Sequence, residues 1–172
     1  MYTDCWEHLG TAVEWIRDLN PRSVLDVNAE SGKWGFVCRQ NLEELSRLVA
    51  FGCPRCAGLY DETRIGDAEI LIHQVGVFDL IILGDILEHI TRERAYSMLA
   101  NAVSRSNNVL MVTPSGKWLS DEHGRRHRSI IKSRHIRAMF EMRRHAGFEN
   151  AGRGYYMMLL AGHQPKVKGG KA

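Results

Sequence analysis

The run Phe78-Asp79-Leu80-Ile81-Ile82-Leu83 constrains this chain more than any other stretch. A near-continuous apolar segment of this length suits a strand buried on both faces, and such strands belong to parallel sheets covered by helices. Two further segments repeat the pattern. Ser23-Val24-Leu25-Asp26-Val27 and Asn108-Val109-Leu110-Met111-Val112-Thr113 are short apolar strands that run into turns of small or polar residues. Helical spacing lies between them. Trp6, Leu9, Val13 and Ile16 mark a helix over residues 4–19, with Thr3 or Asp4 as its N-cap. Ala95, Met98, Leu99, Ala102 and Val103 mark another, starting after Thr91 as N-cap. Alternation of strand and helix predicts an α/β fold: a Rossmann-like, doubly wound, mainly parallel sheet with right-handed crossovers.

The remaining elements follow by spacing and punctuation. Asn20-Pro21 stops the leading helix. A second helix starts near Ser31-Gly32 and runs towards Leu45; Leu48-Val49-Ala50-Phe51 is a second strand, and Cys53-Pro54-Arg55-Cys56 a turn. Thr63-Arg64-Ile65 is a third, edge-type strand. A helix is expected over residues 133–145, ending at Gly147, and then strands over 148–152 and 155–160 that close the sheet as a C-terminal antiparallel β-hairpin. With 172 residues, the chain suits a single domain over residues 1–163 followed by a basic tail, 164–172, of disordered composition. No apolar run approaches the roughly 18 residues of a membrane span, and the first residues lack a signal peptide's basic start and apolar core. A cytoplasmic location is therefore expected, with Cys5, Cys38, Cys53 and Cys56 as reduced thiols.

Charge divides unevenly. Residues 1–90 carry −8 and residues 91–172 carry +11, within a net charge of +3. A basic second half suits an anionic acceptor or nucleic acid, and equally a solvated face. The segment from Lys117 to Arg144 concentrates this charge, but only Trp118 offers the aromatic interleaving that stacking on bases requires. Nucleic acid is therefore not the favoured partner.

In an open α/β sheet, ligands bind beyond the carboxyl ends of the strands, where the connections change direction. The polar residues lie there. Asp26-Val27-Asn28-Ala29-Glu30-Ser31-Gly32 follows strand one, Gly66-Asp67-Ala68 strand three, Gly84-Asp85-Ile86-Leu87-Glu88-His89 strand four, and Thr113-Pro114-Ser115 strand five. Val24-Leu25-Asp26-Val27 with its turn ending at Gly32, Tyr60-Asp61 with Ile65-Gly66-Asp67-Ala68, and the whole of Phe78 to His89 resemble the class I S-adenosylmethionine (SAM)-dependent methyltransferases.

The resemblance implies SAM as cofactor and methyl transfer to an acceptor that the sequence does not identify, a small molecule being favoured. It also implies places for the cofactor. Asp26 would anchor the first turn and bind the methionyl amine, while Asp67 and Ala68 would take the adenine. Gly84, Asp85 and Ile86 would lie along the sulfonium and its methyl. The family's glycine-rich turn is altered, with Asn28, Ala29 and Glu30 ahead of Gly32. Asn is the non-glycine residue best suited to a positive φ, so Asn28 is expected to preserve the turn. Glu30 brings a carboxylate towards the amino-acid end. The family's acidic residue after strand two would fall on Phe51 or Gly52, neither of which offers a side-chain acceptor.

Where the acceptor must lose a proton, the candidate bases are Asp85 and His127. His127 lies in Gly124-Arg125-Arg126-His127-Arg128-Ser129, which resembles a segment that closes over substrate in some family members. Loop 114–130 is expected to build much of the acceptor pocket, and His89 to support the loop beside it. Other readings stand lower. Cys53-Pro-Arg-Cys56 has the spacing of half a zinc site, but no second Cys-x-x-Cys exists, and His123 and His127 complete a set only if the fold brings them near. No metal is therefore expected. A nicotinamide dehydrogenase would need a Gly-x-Gly-x-x-Gly turn, which is missing. A non-catalytic binding module of the same fold is the main alternative, and a homo-oligomer stays open.

Overall fold

The structure is a computed structural model that describes residues 7–52, 55–115, 127–150 and 153–162. Its elements run α1 (Glu7–Leu19), β1 (Ser23–Asp26), α2 (Lys33–Asn41), β2 (Arg47–Phe51), β3 (Glu62–Arg64), α3 (Ala68–Leu71), β4 (Phe78–Gly84), α4 (Arg92–Ser104), β5 (Ser106–Pro114), α5 (Ser133–Met139), β6 (Met142–Asn150) and β7 (Arg153–Ala161). The strands form one seven-stranded sheet in the order β3-β2-β1-β4-β5-β7-β6. Strands β1 to β5 pair in parallel, whereas β7 pairs antiparallel with both β5 and β6. This is the doubly wound α/β plan expected from the alternation of elements.

Strand side chains alternate between two apolar layers, as a pleated sheet requires. Val49, Ile81, Leu83, Val109, Met111 and Met158 face one layer, which α4 completes with Ala95, Met98, Leu99, Ala102 and Val103. Leu48, Ile82, Leu110, Val112, Met157 and Leu159 face the other, completed by Ala12, Trp15 and Ile16 of α1 and by Trp34, Val37 and Cys38 of α2. Burial of a side chain such as Leu99 contributes about 1.5–3 kcal/mol. Thr91 caps α4 by accepting from Arg94 N at 3.5 Å, as its residue type suggests. At the amino end of the sheet, Asp79 Oδ2 accepts from Arg22 N, Ser23 N and Ser23 Oγ at 2.9–3.0 Å, and Oδ1 accepts from Asn107 Nδ2 at 3.0 Å. One carboxylate thus ties together the starts of β1, β4 and β5.

Several expectations need correction. The helix predicted over 133–145 ends at Met139, and Met142 already pairs with Leu160 in the sheet. The nine-residue β7 demands a partner of matching length, and this tertiary pairing overrides local helical spacing. Helix α2 stops at Asn41, whose side-chain amide donates to Val37 O at 2.7 Å. Residues 68–71 form a short helix, an element that the sequence analysis does not assign. Cys56 is disulfide-bonded rather than a free thiol, because an argument from compartment does not fix the pairing of a particular cysteine. Cys38 is a buried free thiol, and burial pushes its pKa well up. Trp6, the caps proposed at Thr3 or Asp4, Cys53, His123 and the basic tail lie outside the described residues. Among the described residues no helix is long and apolar enough to cross a membrane.

Candidate active site

The sheet changes winding direction between β1 and β4, which are hydrogen-bonded neighbours. Their carboxyl ends therefore open the crevice where an α/β sheet takes its ligand. Asp26 is the last residue of β1 and is wholly buried. Its Oδ2 accepts from the Tyr60 hydroxyl at 2.7 Å. Its Oδ1 is buried with no hydrogen-bond partner among the described residues. Burial pushes this carboxyl up to about 6, and the hydrogen bonds from Tyr60 and from the backbone N–H of Asn28 offset only part of that rise. Burial, then the nearby Asp26 charge, raises the Tyr60 phenol as well. Tyr60 reaches this position because residue 35 is glycine: a Cβ there would stand 2.4 Å from the tyrosine ring, whose hydroxyl accepts from Gly35 N at 3.1 Å.

The turn after β1 is held differently from the expectation. Asn28 is not in the left-handed region; Glu30 (φ 38°) and Gly32 (φ 82°) are. Asn28 instead spans the crevice, its amide donating at 3.2 Å to both Gly84 O and Asp85 O. The side-chain amide is long enough to bridge two loops, so its value lies in that reach rather than in its backbone. Ala29 is buried and donates to Phe51 O at 3.1 Å. Glu30 is exposed, with Cys56 Sγ 3.7 Å from its carbonyl oxygen.

Across the crevice, Gly84 ends β4 against the indole of buried Trp34; a Cβ at 84 would stand 2.1 Å from Nε1. Asp85 follows in the left-handed region at φ 50°, a conformation that costs energy in a non-glycine residue and recurs at functional sites. Lys33 Nζ lies 3.2 Å from Asp85 Oδ2, while Oδ1 is buried with no hydrogen-bond partner among the described residues. Ile86 is half-buried against the core, and a short 3-10 turn over Leu87–His89 follows. Glu88 is buried and accepts from Thr113 Oγ1 of β5 at 3.3 Å. His127 sits beside it, its ring 5.2 Å from that of His89 in an edge-on arrangement.

Asp67 stands at the end of β3, two strands away from β1, and is exposed. Its Oδ1 caps α3 by accepting from Glu69 N at 2.9 Å, and Arg94 lies 3.6 Å from its Oδ2. Ala68 opens that helix. Strand β2 ends at Phe51, as expected, followed by the exposed Gly52.

Three residues of this region were not singled out as site residues in the sequence. Tyr60, Lys33 and Trp34 each act through a partner distant in the chain. The one available signal was a tyrosine isolated ahead of strand three, whose hydroxyl needs a partner if it is buried.

Neither a protein-family model nor a curated protein matches the chain by sequence. Solved structures do match by shape. Magnesium protoporphyrin IX methyltransferase (ChlM) from Synechocystis PCC 6803, with bound SAH, superposes with a TM-score of 0.70 at 12% identity, covering 92% of this chain and 84% of that one. The N-terminal domain of EvdMO1, determined with SAH and D-fucose, gives 0.64 at 12% identity, covering 90% and 82%. TehB from Haemophilus influenzae gives 0.66 at 14%, covering 90% of this chain and 62% of its own. The chain has the class I methyltransferase fold. This methyltransferase fold brings Asp26, Asn28, Ala29, Gly84, Asp85 and Ile86 to one crevice. It leaves Asp67 and Ala68 at the end of β3 and Glu30 on the surface.

Proposed function

We propose that this chain binds SAM in the crevice between β1 and β4 and transfers its methyl group to a small-molecule acceptor. The observation that carries this reading is the unpartnered Oδ1 of Asp26. A buried carboxylate oxygen without a partner is costly, and it fits a cationic donor such as the methionyl ammonium. The surroundings fit as well. Asn28 fixes the separation of the two loops. Gly84, lacking a Cβ, lets the Trp34 indole pack against the end of β4, beside Asp85 and Ile86 where the sulfonium would lie. Asp67 and Ala68 would hold the adenine, the former through the Oδ2 that it shares with Arg94, since Oδ1 caps α3.

The cofactor supplies a methyl group on a positively charged sulfur, already activated for in-line displacement. The chain's contribution is then chiefly positioning. Asp85 is paired with Lys33, so it shapes the site better than it removes protons. His127, half-buried with its ring beside that of His89, is the better placed group to serve the acceptor's deprotonation. Two neighbours, one named as a methyltransferase of magnesium protoporphyrin IX and one determined in the presence of D-fucose, support an acceptor of small-molecule class.

Calorimetric titration with SAM and with S-adenosylhomocysteine tests the reading. Micromolar binding is expected for the unaltered protein, weakened at least tenfold in Asp26→Asn, a loss of about 1.4 kcal/mol. Absence of binding at millimolar ligand would sink it.

A further inference from the structure

Glu88, His89 and His127 each offer a ligand atom, and these atoms all lie within 4.8 Å of one another. Neighbours in sequence supply two of them; the third comes from the far side of the loop after β5. Their meeting is built by backbone hydrogen bonds. Arg128 N and Ser129 N both donate to Glu88 O, at 2.7 and 3.2 Å, and Ser129 Oγ donates to Leu87 O at 2.8 Å. This clamp fastens the segment carrying His127 directly onto the turn carrying Glu88 and His89.

We propose that Glu88, His89 and His127 bind a divalent transition-metal ion, and that this ion receives the oxygen of the methyl acceptor. The second clause rests on the methyl-transfer reading above; the first does not. Two imidazoles and one carboxylate are the donor set of zinc, iron(II), manganese or cobalt rather than of an all-oxygen calcium site. Three protein ligands leave a coordination position open, as catalytic sites do. Ligands that share one ion at bonds of about 2.1 Å stand no more than about 4.2 Å apart. Small side-chain rotations bring this trio into that range. The hydrogen bond from Thr113 to Glu88 Oε2 is the outer support that a ligating carboxylate normally has.

The location gives the ion its use. Glu88 and His89 follow Gly84 and Asp85 by only a few residues, at the edge of the crevice where the methyl group would be presented. A hydroxyl bound to the ion releases its proton to solvent at lower pH than a free one. Its oxygen lone pair then forms the new C–O bond while the electron pair of the breaking C–S bond returns to sulfur. His127 serves here as a ligand rather than as the base itself. The acceptor class is accordingly a hydroxyl compound.

The test uses untagged protein stripped with a chelator and titrated with Co(II), followed by absorption and calorimetry. A parallel titration with SAM is run without metal. One ion per chain is expected, with d–d bands and no thiolate charge-transfer band. His89→Ala and His127→Ala should each weaken binding by more than the ~10–100-fold cost of losing an outer-shell partner, while SAM binding persists. Co(II)-loaded unaltered protein should show two paramagnetically shifted imidazole N–H resonances, which keeps the test decisive if a variant fails to fold. Absence of Co(II) binding, a thiolate band, or affinity unchanged in both histidine variants overturns the metal site. If SAM binds normally in that case, the methyltransferase reading stands. Metal binding without SAM binding would keep the ion and remove the proposed acceptor role.

Discussion

Asp26 enters the folded chain with a penalty on its charged form, and the sign of that penalty makes two effects measurable. Its carboxyl rises from an ordinary 3.8 to about 6. The folded state thus holds the proton more tightly than the unfolded one, and this group's contribution to stability falls as pH climbs from about 4 to about 6. Cofactor binding runs the other way. An ammonium pairs with the ionised form, so SAM affinity should rise with pH until about 6 and then level off. Titrations across this range should show the slope in the unaltered protein and lose it in Asp26→Asn. A second test at this scale concerns the missing carboxylate after β2. A Cβ at Gly52 meets nothing within 4 Å, and aspartate is among the residues that tolerate its φ of 85°. Gly52→Asp should lower stability by about 1–2 kcal/mol and tighten SAM binding several-fold, read by calorimetry. Unchanged affinity would mean that the ribose does not lie there. Asp26 was legible in the sequence because it follows an apolar strand directly. Tyr60 was not, because its bond to Asp26 depends on the packing of Gly35. Asn28 was chosen for a backbone property it does not use and serves by its side chain instead.

At the scale of elements, legibility followed burial. Strands β1, β2, β4 and β5 are apolar almost throughout, and their positions could be read within a few residues. Helix α4 declared itself by Ala95, Met98, Leu99, Ala102 and Val103 at helical spacing. The failure came at β6, an outer strand with exposed Arg143, Arg144 and His145, whose pattern records solvent more than sheet. An edge strand is specified largely by its neighbour, which a local window does not contain. The knot at Asp79 is a further property of the assembled elements. Asp79→Ala frees two backbone N–H groups and two side-chain donors at the starts of β1 and β5, and should lower stability by about 1–3 kcal/mol. Chemical denaturation measures this, with cofactor affinity left nearly unchanged because the knot lies at the opposite end of the sheet from the crevice.

Across the whole molecule, the connection after β5 is fastened to the rest of the fold at both of its described ends. The chain leaves β5 at Ser115, whose N–H donates to Gly154 O at 2.8 Å, and returns at Arg128 and Ser129, both fastened to Glu88 O. Both ends of the intervening stretch are therefore moored to the scaffold independently of its own sequence. Between two fixed ends an insertion is cheap: doubling the length of a connection costs only about 0.6 kcal/mol in closure entropy. Lineages carrying this scaffold can lengthen or rewrite residues 116–126 while Asp26, Asn28 and Gly84 stay where they are. On the methyl-transfer reading, acceptor choice could then change while the crevice between β1 and β4 keeps its form.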